Sequence, residues 1–242
     1  MPFVLTCLGS SPHLAWLAAR LNRRAAGMED CTQVCLCDRE GWELLLRQGL
    51  PCGSVVLDAS TDWFMTLPAR HESCRQAQCR YAEIAGPWHP FGEQAGFALA
   101  WGAATEHTST IRPCLDRLAS FAGAAVHVGP PGAGSFCRHV QQGIEHVWLV
   151  HAQAACDPAS GPFIQRWRDS LLNQRTHLQP LLDIACLWLD QPYARPDCHA
   201  TRLARWLAEG LPLLTQLDEQ LAAQLAGLPV TTLVHAAPHP AR

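Results

Sequence analysis

HVGPPGAGSFCRHVQQGIE, His127–Glu145, decides how this chain is read. It begins in a strand-like end, Ala125-Val126-His127-Val128, and passes through a turn full of breakers, Gly129-Pro130-Pro131-Gly132-Ala133-Gly134. Ser135 is a good N-cap after such a turn and predicts a helix starting there. On that helix Arg138, Gln141, Gln142 and Glu145 fall at i, i+3, i+4 and i+7 and share one face. Four large polar groups on one face after a glycine turn either line a cleft or form an ordinary solvated surface. Spacing alone leaves both readings open.

Working outward, the chain before the turn alternates strand and helix. Phe3–Leu8 is an apolar run that ends in Gly9-Ser10-Ser11-Pro12. A helix fits 12–26, with Leu14, Leu17, Ala18 and Leu21 as its stripe. Gln33–Cys37 reads as a second strand, followed by Asp38-Arg39 and a helix over Gly41–Gln48 closed by Gly49. Ser54–Leu57 and Tyr81–Ala85 are further strands; 63–79 and 110–121 are helices. This order predicts a parallel, doubly wound sheet. After Ser135 the spacing is helical, over Phe163–Ala185 and Ala200–Leu225, with loops at 157–161 and 191–197. The tail 235–242, rich in Pro, His and Arg, is expected to fray. Two domains are expected, 1–134 and 135–242.

Composition narrows the function classes. The 242 residues are 48% hydrophobic and 16% charged, with net charge −3, which suits a globular protein and gives no electrostatic footprint for nucleic acid. No apolar run approaches the ~20 residues of a membrane span. The N-terminus has no basic region of the secretory type, so a cytoplasmic protein is expected. The 12 cysteines are irregularly spaced and contain no CxxC, so free buried thiols are favoured over zinc ligands, and no metal is expected. All 18 basic residues are arginine. No side-chain amine exists anywhere to act as a base.

The central stretch resembles the start of the long helix in the 6-phosphogluconate dehydrogenase family. There the sequence runs from a glycine turn into His-Phe-Val-Lys-Met-Val-His-Asn-Gly-Ile-Glu-Tyr. Gly132, Ala133, Gly134, Phe136, Val140, Gly143, Ile144 and Glu145 match. The Gly-Ile-Glu triplet favours this family over its 3-hydroxyisobutyrate dehydrogenase cousins. The resemblance implies an α/β Rossmann-like N-terminal domain, here with a reduced parallel sheet, followed by an all-α C-terminal domain that pairs into a homodimer through its helices. It also implies NADP as cofactor and a small phosphorylated or carboxylate ligand. The catalytic positions fall on Arg138, Gln142 and Glu145; those that touch substrate fall on Trp88, His89, Gln141 and His146. The cofactor positions fall on Gly9, Ser10, Ser11, Asp38 and Arg39. Asp58-Ala59-Ser60-Thr61 is similar to the Asp-Ser-Ser-Thr of the hydroxyacid dehydrogenases, reached here two strands earlier than in the wider family. An alternative alignment places Val34–Cys37 on the family's fourth strand.

Three departures bear on function. The glycine fingerprint, which lets backbone approach a pyrophosphate, reads Cys7, Gly9 and Pro12, and proline has no N–H to offer. The family's substrate-holding Ser-Gly-Gly falls on Pro87, Trp88 and His89. The catalytic lysine falls on Arg138, and an arginine cannot give up its proton near neutral pH. Weak or absent NADP binding and an eroded active site are therefore expected. The alternative is an active dehydrogenase or reductase with altered residues, in which His146 or His151 serves as base.

Overall fold

The computed structural model describes residues 3–23, 31–156 and 162–227. The end of the first expected helix, the loop at 157–161 and the tail at 235–242 lie outside them. Six strands form one sheet: β1 (Phe3–Leu8), β2 (Cys31–Cys37), β3 (Val55–Asp58), β4 (Arg80–Ala85), β5 (Leu99–Ala103) and β6 (Ala125–Gly129), in the order β2-β1-β3-β4-β5-β6. The first four run parallel; β5 pairs with β4 antiparallel and with β6 parallel. The expected parallel, doubly wound sheet is present; β5, a strand the sequence pattern did not mark, adds one antiparallel pairing to it. LAWGA is short, and its Gly102 weakens the strand signal.

The strand order resolves the alternative alignment. In the usual Rossmann order, 3-2-1-4-5-6, the fourth strand lies beside the first, away from the second. Here β1 lies between β2 and β3, so β2 is not a fourth strand. β3 takes that place directly, with Leu5, Thr6, Cys7 and Leu8 in register with Val55, Val56, Leu57 and Asp58.

The helices cover both faces because the central strands are apolar on both. Leu5, Cys7 and Leu57 face Leu17 and Leu21 of α1 (His13–Arg23) and Ile111, Leu115 and Leu118 of α5 (Thr108–Leu118). Leu8, Val56 and Tyr81 face Trp42 of α2 (Arg39–Gln48) and Cys74 of α3 (Leu67–Gln76). The helix expected over 63–79 is a 3-10 turn at Phe64–Thr66 followed by α3, with Pro68 in the first helical turn where its missing N–H costs nothing. A single turn, α4 (Gly92–Ala95), precedes β5. Arg20 of α1 is buried and donates to the carbonyls of Gln94, Arg117 (3.1 Å) and Ala119 (3.0 Å).

After β6 come three long helices: α6 (Ala133–Cys156), α7 (Phe163–Leu189) and α8 (His199–Ala226). Of two compact units, the first holds 1–139 together with 191–202, and the second holds 140–190 and 203–242. In the second unit Leu178, Leu181, Ala185 and Trp188 of α7 and Ala204, Leu207 and Leu211 of α8 are buried. Gly143 of α6 meets α7 so closely that a Cβ there would lie 2.4 Å from Leu181 Cδ2.

Helix α6 starts at Ala133, two residues before the expected cap. Ser135 is buried inside the helix, and its hydroxyl donates to Asp62 O at 2.6 Å. A carboxyl group from elsewhere does the capping. Glu83 of β4 accepts from Gly134 N at 2.7 Å and also from Gly132. Gly102 lets this happen, because a Cβ there would sit 2.3 Å from Glu83 Oε1.

Candidate functional site

In open α/β sheets ligands bind outside the carboxyl ends of strands where the strand order reverses. Here the chain leaves β1 for β2 on one side and then returns to β3 on the other. The crevice at this point has a volume of about 430 Å³ and is lined by Gly9 and Ser10 after β1, Asp38, Arg39 and Glu40 after β2, and Ser60, Asp62 and Arg70. The sequence-derived cofactor residues Gly9, Ser10, Asp38 and Arg39 are thus brought together; Ser11 is exposed beside them.

Each is positioned by local structure. Gly9 N donates to Cys37 O at 3.1 Å, and Ala59 N to Leu8 O, which ties the three strand ends together. Asp38 is the N-cap of α2 and accepts from Gly41 N at 2.8 Å. Cys7, at the first fingerprint position, is fully buried within β1. Burial raises its thiol pKa far above the ordinary value.

The floor holds a cluster the sequence reading missed. Arg70 Nη1 donates to Asp58 Oδ2 and to Ser60 Oγ, both at 2.8 Å, and Arg70 Nη2 pairs with Asp62. Tyr81 OH donates to Asp58 Oδ2 at 2.8 Å, and Ser60 N to Asp58 Oδ1 at 3.0 Å. The side chain of Asp58 is 1% exposed and that of Arg70 15%. Burial lowers the Arg70 pKa, but the two carboxylates outweigh it and raise it, so the guanidinium stays charged. Thr61, in the turn between the carboxylates, has φ 59°, a conformation that β-branched residues rarely adopt. The only early signal was Asp58-Ala59-Ser60-Thr61; Arg70 sits in an ordinary helical stretch and carried none.

Glu83 was also missed, although a lone acid in the apolar run YAEIA could have drawn notice. It is 1% exposed, and burial raises its carboxyl pKa well above the usual range against the opposing pull of the Gly132 and Gly134 amides. The acid is held neutral over a wide pH range, with Oε2 lacking a hydrogen-bond partner.

At the start of α1, Pro12 supplies no N–H, and the Trp88 indole stacks on His13, the first helical residue, at 5.7 Å. Trp88 also meets Phe97 at 5.0 Å, and His89 lies 5.9 Å from Phe97. On α6, Arg138 is half-buried in the first unit. Gln141, Gln142, Glu145 and His146 belong to the second unit and are exposed. There Gln141 donates to Glu145 at 2.8 Å, and His146 lies 5.9 Å from His177. His151 Nδ1 meets Ser170 Oγ at 2.6 Å. Among the described residues no group of His, Cys, Asp or Glu is arranged to hold a metal ion, and no helix is long and apolar enough to cross a membrane. Cys7, Cys37, Cys74, Cys79 and Cys114 are buried free thiols.

The strand order and the switch-point crevice define a Rossmann-like α/β sheet followed by a helical region. Solved structures agree on that architecture. A 3-hydroxyisobutyrate dehydrogenase from Mycobacterium tuberculosis, solved with L-serine, is 14% identical over 99% of this chain and 100% of its own, with a TM-score of 0.51. An oxidoreductase from Mycobacterium avium is 16% identical over 91% and 98%, with a TM-score of 0.52. An imine reductase variant from Myxococcus stipitatus, in complex with NAD+, is 17% identical over 98% and 95%, with a TM-score of 0.51. No protein-family model and no curated protein matches the chain. At such identities the likeness is one of fold.

The residues present do not fit a dinucleotide well. A pyrophosphate is held by free backbone amides at the start of a helix. Pro12, the residue before α1, has no N–H to offer. In the crevice Asp38, Glu40 and Asp62 stand beside Arg39 and Arg70, and Arg70 is already held by Asp58 and Asp62.

Proposed function

We propose that this protein is a ligand-binding relative of the 6-phosphogluconate and 3-hydroxyisobutyrate dehydrogenases that keeps their fold and has lost hydride transfer. The observation that carries this reading is the first turn of α1, where proline replaces an amide and the Trp88 indole stacks on His13. Arg138 supports it from the chemical side. A guanidinium can hold a carboxylate or phosphate through paired hydrogen bonds, but it cannot take a proton from a hydroxyl. The ligand class is therefore a small phosphorylated or carboxylate molecule. Gly143-Ile144-Glu145 supports placement in the 6-phosphogluconate branch.

The protein forms a homodimer through its C-terminal helices in this reading. Trp148, Trp206, Leu213 and Leu217 support it, each 60% exposed or more, since apolar surface of that size usually marks an interface. The buried free thiols favour the cytoplasm.

The test is a titration with NADPH and NADH, read by quenching of the nine tryptophans, alongside a turnover assay with 6-phosphogluconate. The unmodified chain should show neither micromolar saturation nor turnover. The combined variant Pro12→Gly, Trp88→Gly, Arg138→Lys should gain cofactor binding before it gains turnover. Micromolar affinity with turnover in the unmodified chain overturns the proposal and makes His146 the first base to mutate.

A further inference from the structure

Because β5 and β6 run against β1–β4, this sheet has carboxyl strand ends on both of its edges. The β1/β3 crevice occupies one. At the other, beyond Ala103 of β5 and Gly129 of β6, lies a larger crevice of about 570 Å³ wholly within the first unit. We propose that this second crevice is a binding site for an uncharged, planar heteroaromatic group bearing both N–H donors and ring-nitrogen or carbonyl acceptors.

Three features carry this. The first is position: the crevice lies outside the carboxyl ends of β5 and β6, and the segment 191–202 joins the first unit beside it. Tyr193, Cys198 and His199 of that segment line it. The second is the separation of charge from the interior. The charged Glu106, Arg195 and Asp197 are exposed at the rim, whereas His71, His127, Tyr193 and Cys198 are half-buried. The walls between them are apolar, from Pro68, Pro130 and Pro131. A pocket of apolar walls with a few directed polar groups is the usual form of a small-molecule site.

The third is the hydrogen-bonding state of the histidines. His71 Nε2 is buried with no partner. His127 lies against the Trp101 ring at 4.5 Å, with its Nε2 3.3 Å from Ala103 O. Burial pushes both imidazoles toward the neutral form. A neutral imidazole has one N–H donor and one acceptor nitrogen. His127 donates its N–H to Ala103 O, so the unpartnered Nε2 of His71 is the group left for a ligand's polar edge, and neutral rings give a buried anion no counter-charge.

Adenine and nicotinamide are the probes, followed by saturation-transfer NMR on the full chain. Saturable binding at about millimolar or tighter is expected, a reasonable range for molecules of this size. Ala104→Phe, which fills the crevice, should abolish it, and His71→Leu should weaken it at least tenfold. If Ala104→Phe does not fold, as judged by circular dichroism, His71→Leu carries the test. Arg39→Ala, in the β1/β3 crevice, should leave binding unchanged. Failure of both probes to saturate overturns the proposal, as does displacement by 10 mM inorganic phosphate, or loss of binding in Arg39→Ala. Loss of binding in Arg39→Ala would place the probes in the first crevice; the other outcomes leave NADPH binding there to its own titration.

Discussion

Glu83→Gln should remove a specific part of the protein's pH dependence. In the folded chain the carboxyl is buried and its pKa lies well above the usual 4.5; in the unfolded chain it returns to about that value. At pH below 4.5 both states are protonated and the group is neutral toward folding. Above it the unfolded carboxyl ionises while the folded one does not. Stability therefore falls as pH rises, by about 1.4 kcal/mol per pH unit, until the folded pKa is reached. Glutamine cannot ionise and keeps an oxygen for the Gly132 and Gly134 amides. Urea unfolding followed by tryptophan fluorescence, at half-unit steps upward from pH 4.5, reads the difference between variant and parent. That difference should shift in favour of the variant by about 1.4 kcal/mol per pH unit within the window. Other titrating groups are common to both chains and cancel. A fixed offset is expected from the extra N–H of glutamine, so the slope and not the offset is diagnostic. A difference that stays flat across this range refutes the account of Glu83 as a buried neutral acid. Glu83→Ala, which strands the two amides, should cost about 2–5 kcal/mol at pH 4.5 and below, and less as the pH rises.

Arg70→Ala leaves the buried Asp58 carboxylate without its cation and should destabilise the first unit by about 3–5 kcal/mol in urea. Arg75→Ala, on the same helix but in the exposed pair with Glu72, should leave the midpoint where it was. Gly143→Ala forces a methyl into Leu181 and should cost about 1–3 kcal/mol; Leu181→Ala in the same chain should recover part of that loss, and strict additivity in the double-mutant cycle would dismiss the contact. Light scattering at tens of micromolar should give a dimer, and Trp206→Glu with Leu213→Glu a monomer. A monomeric parent chain removes the dimer from the proposal.

The periodicity of the chain determined where strands give way to helices, because burying one face of a helix or both faces of a strand writes itself into local spacing. It also determined, by covalent structure alone, that no lysine can act as a base and that Pro12 has no amide to offer a phosphate. Gly9, Ser10, Asp38 and Arg39 were legible through the family resemblance, and the fold brings them together because each follows a strand end. Tertiary structure decided what distant segments do to one another. Ser135 had the right chemistry for an N-cap, yet Glu83, fifty residues earlier in the chain, caps α6, and only because Gly102 leaves room. Arg70 read as an ordinary helical residue until α3 placed it between Asp58 and Asp62. The order of β1 between β2 and β3, the reversal of β5, and the return of 191–202 to the first unit depend on pairings across the chain that no local pattern encodes. The ionisation states of Glu83, His71 and His127 follow from burial, which is a property of the packed fold and not of any stretch of sequence.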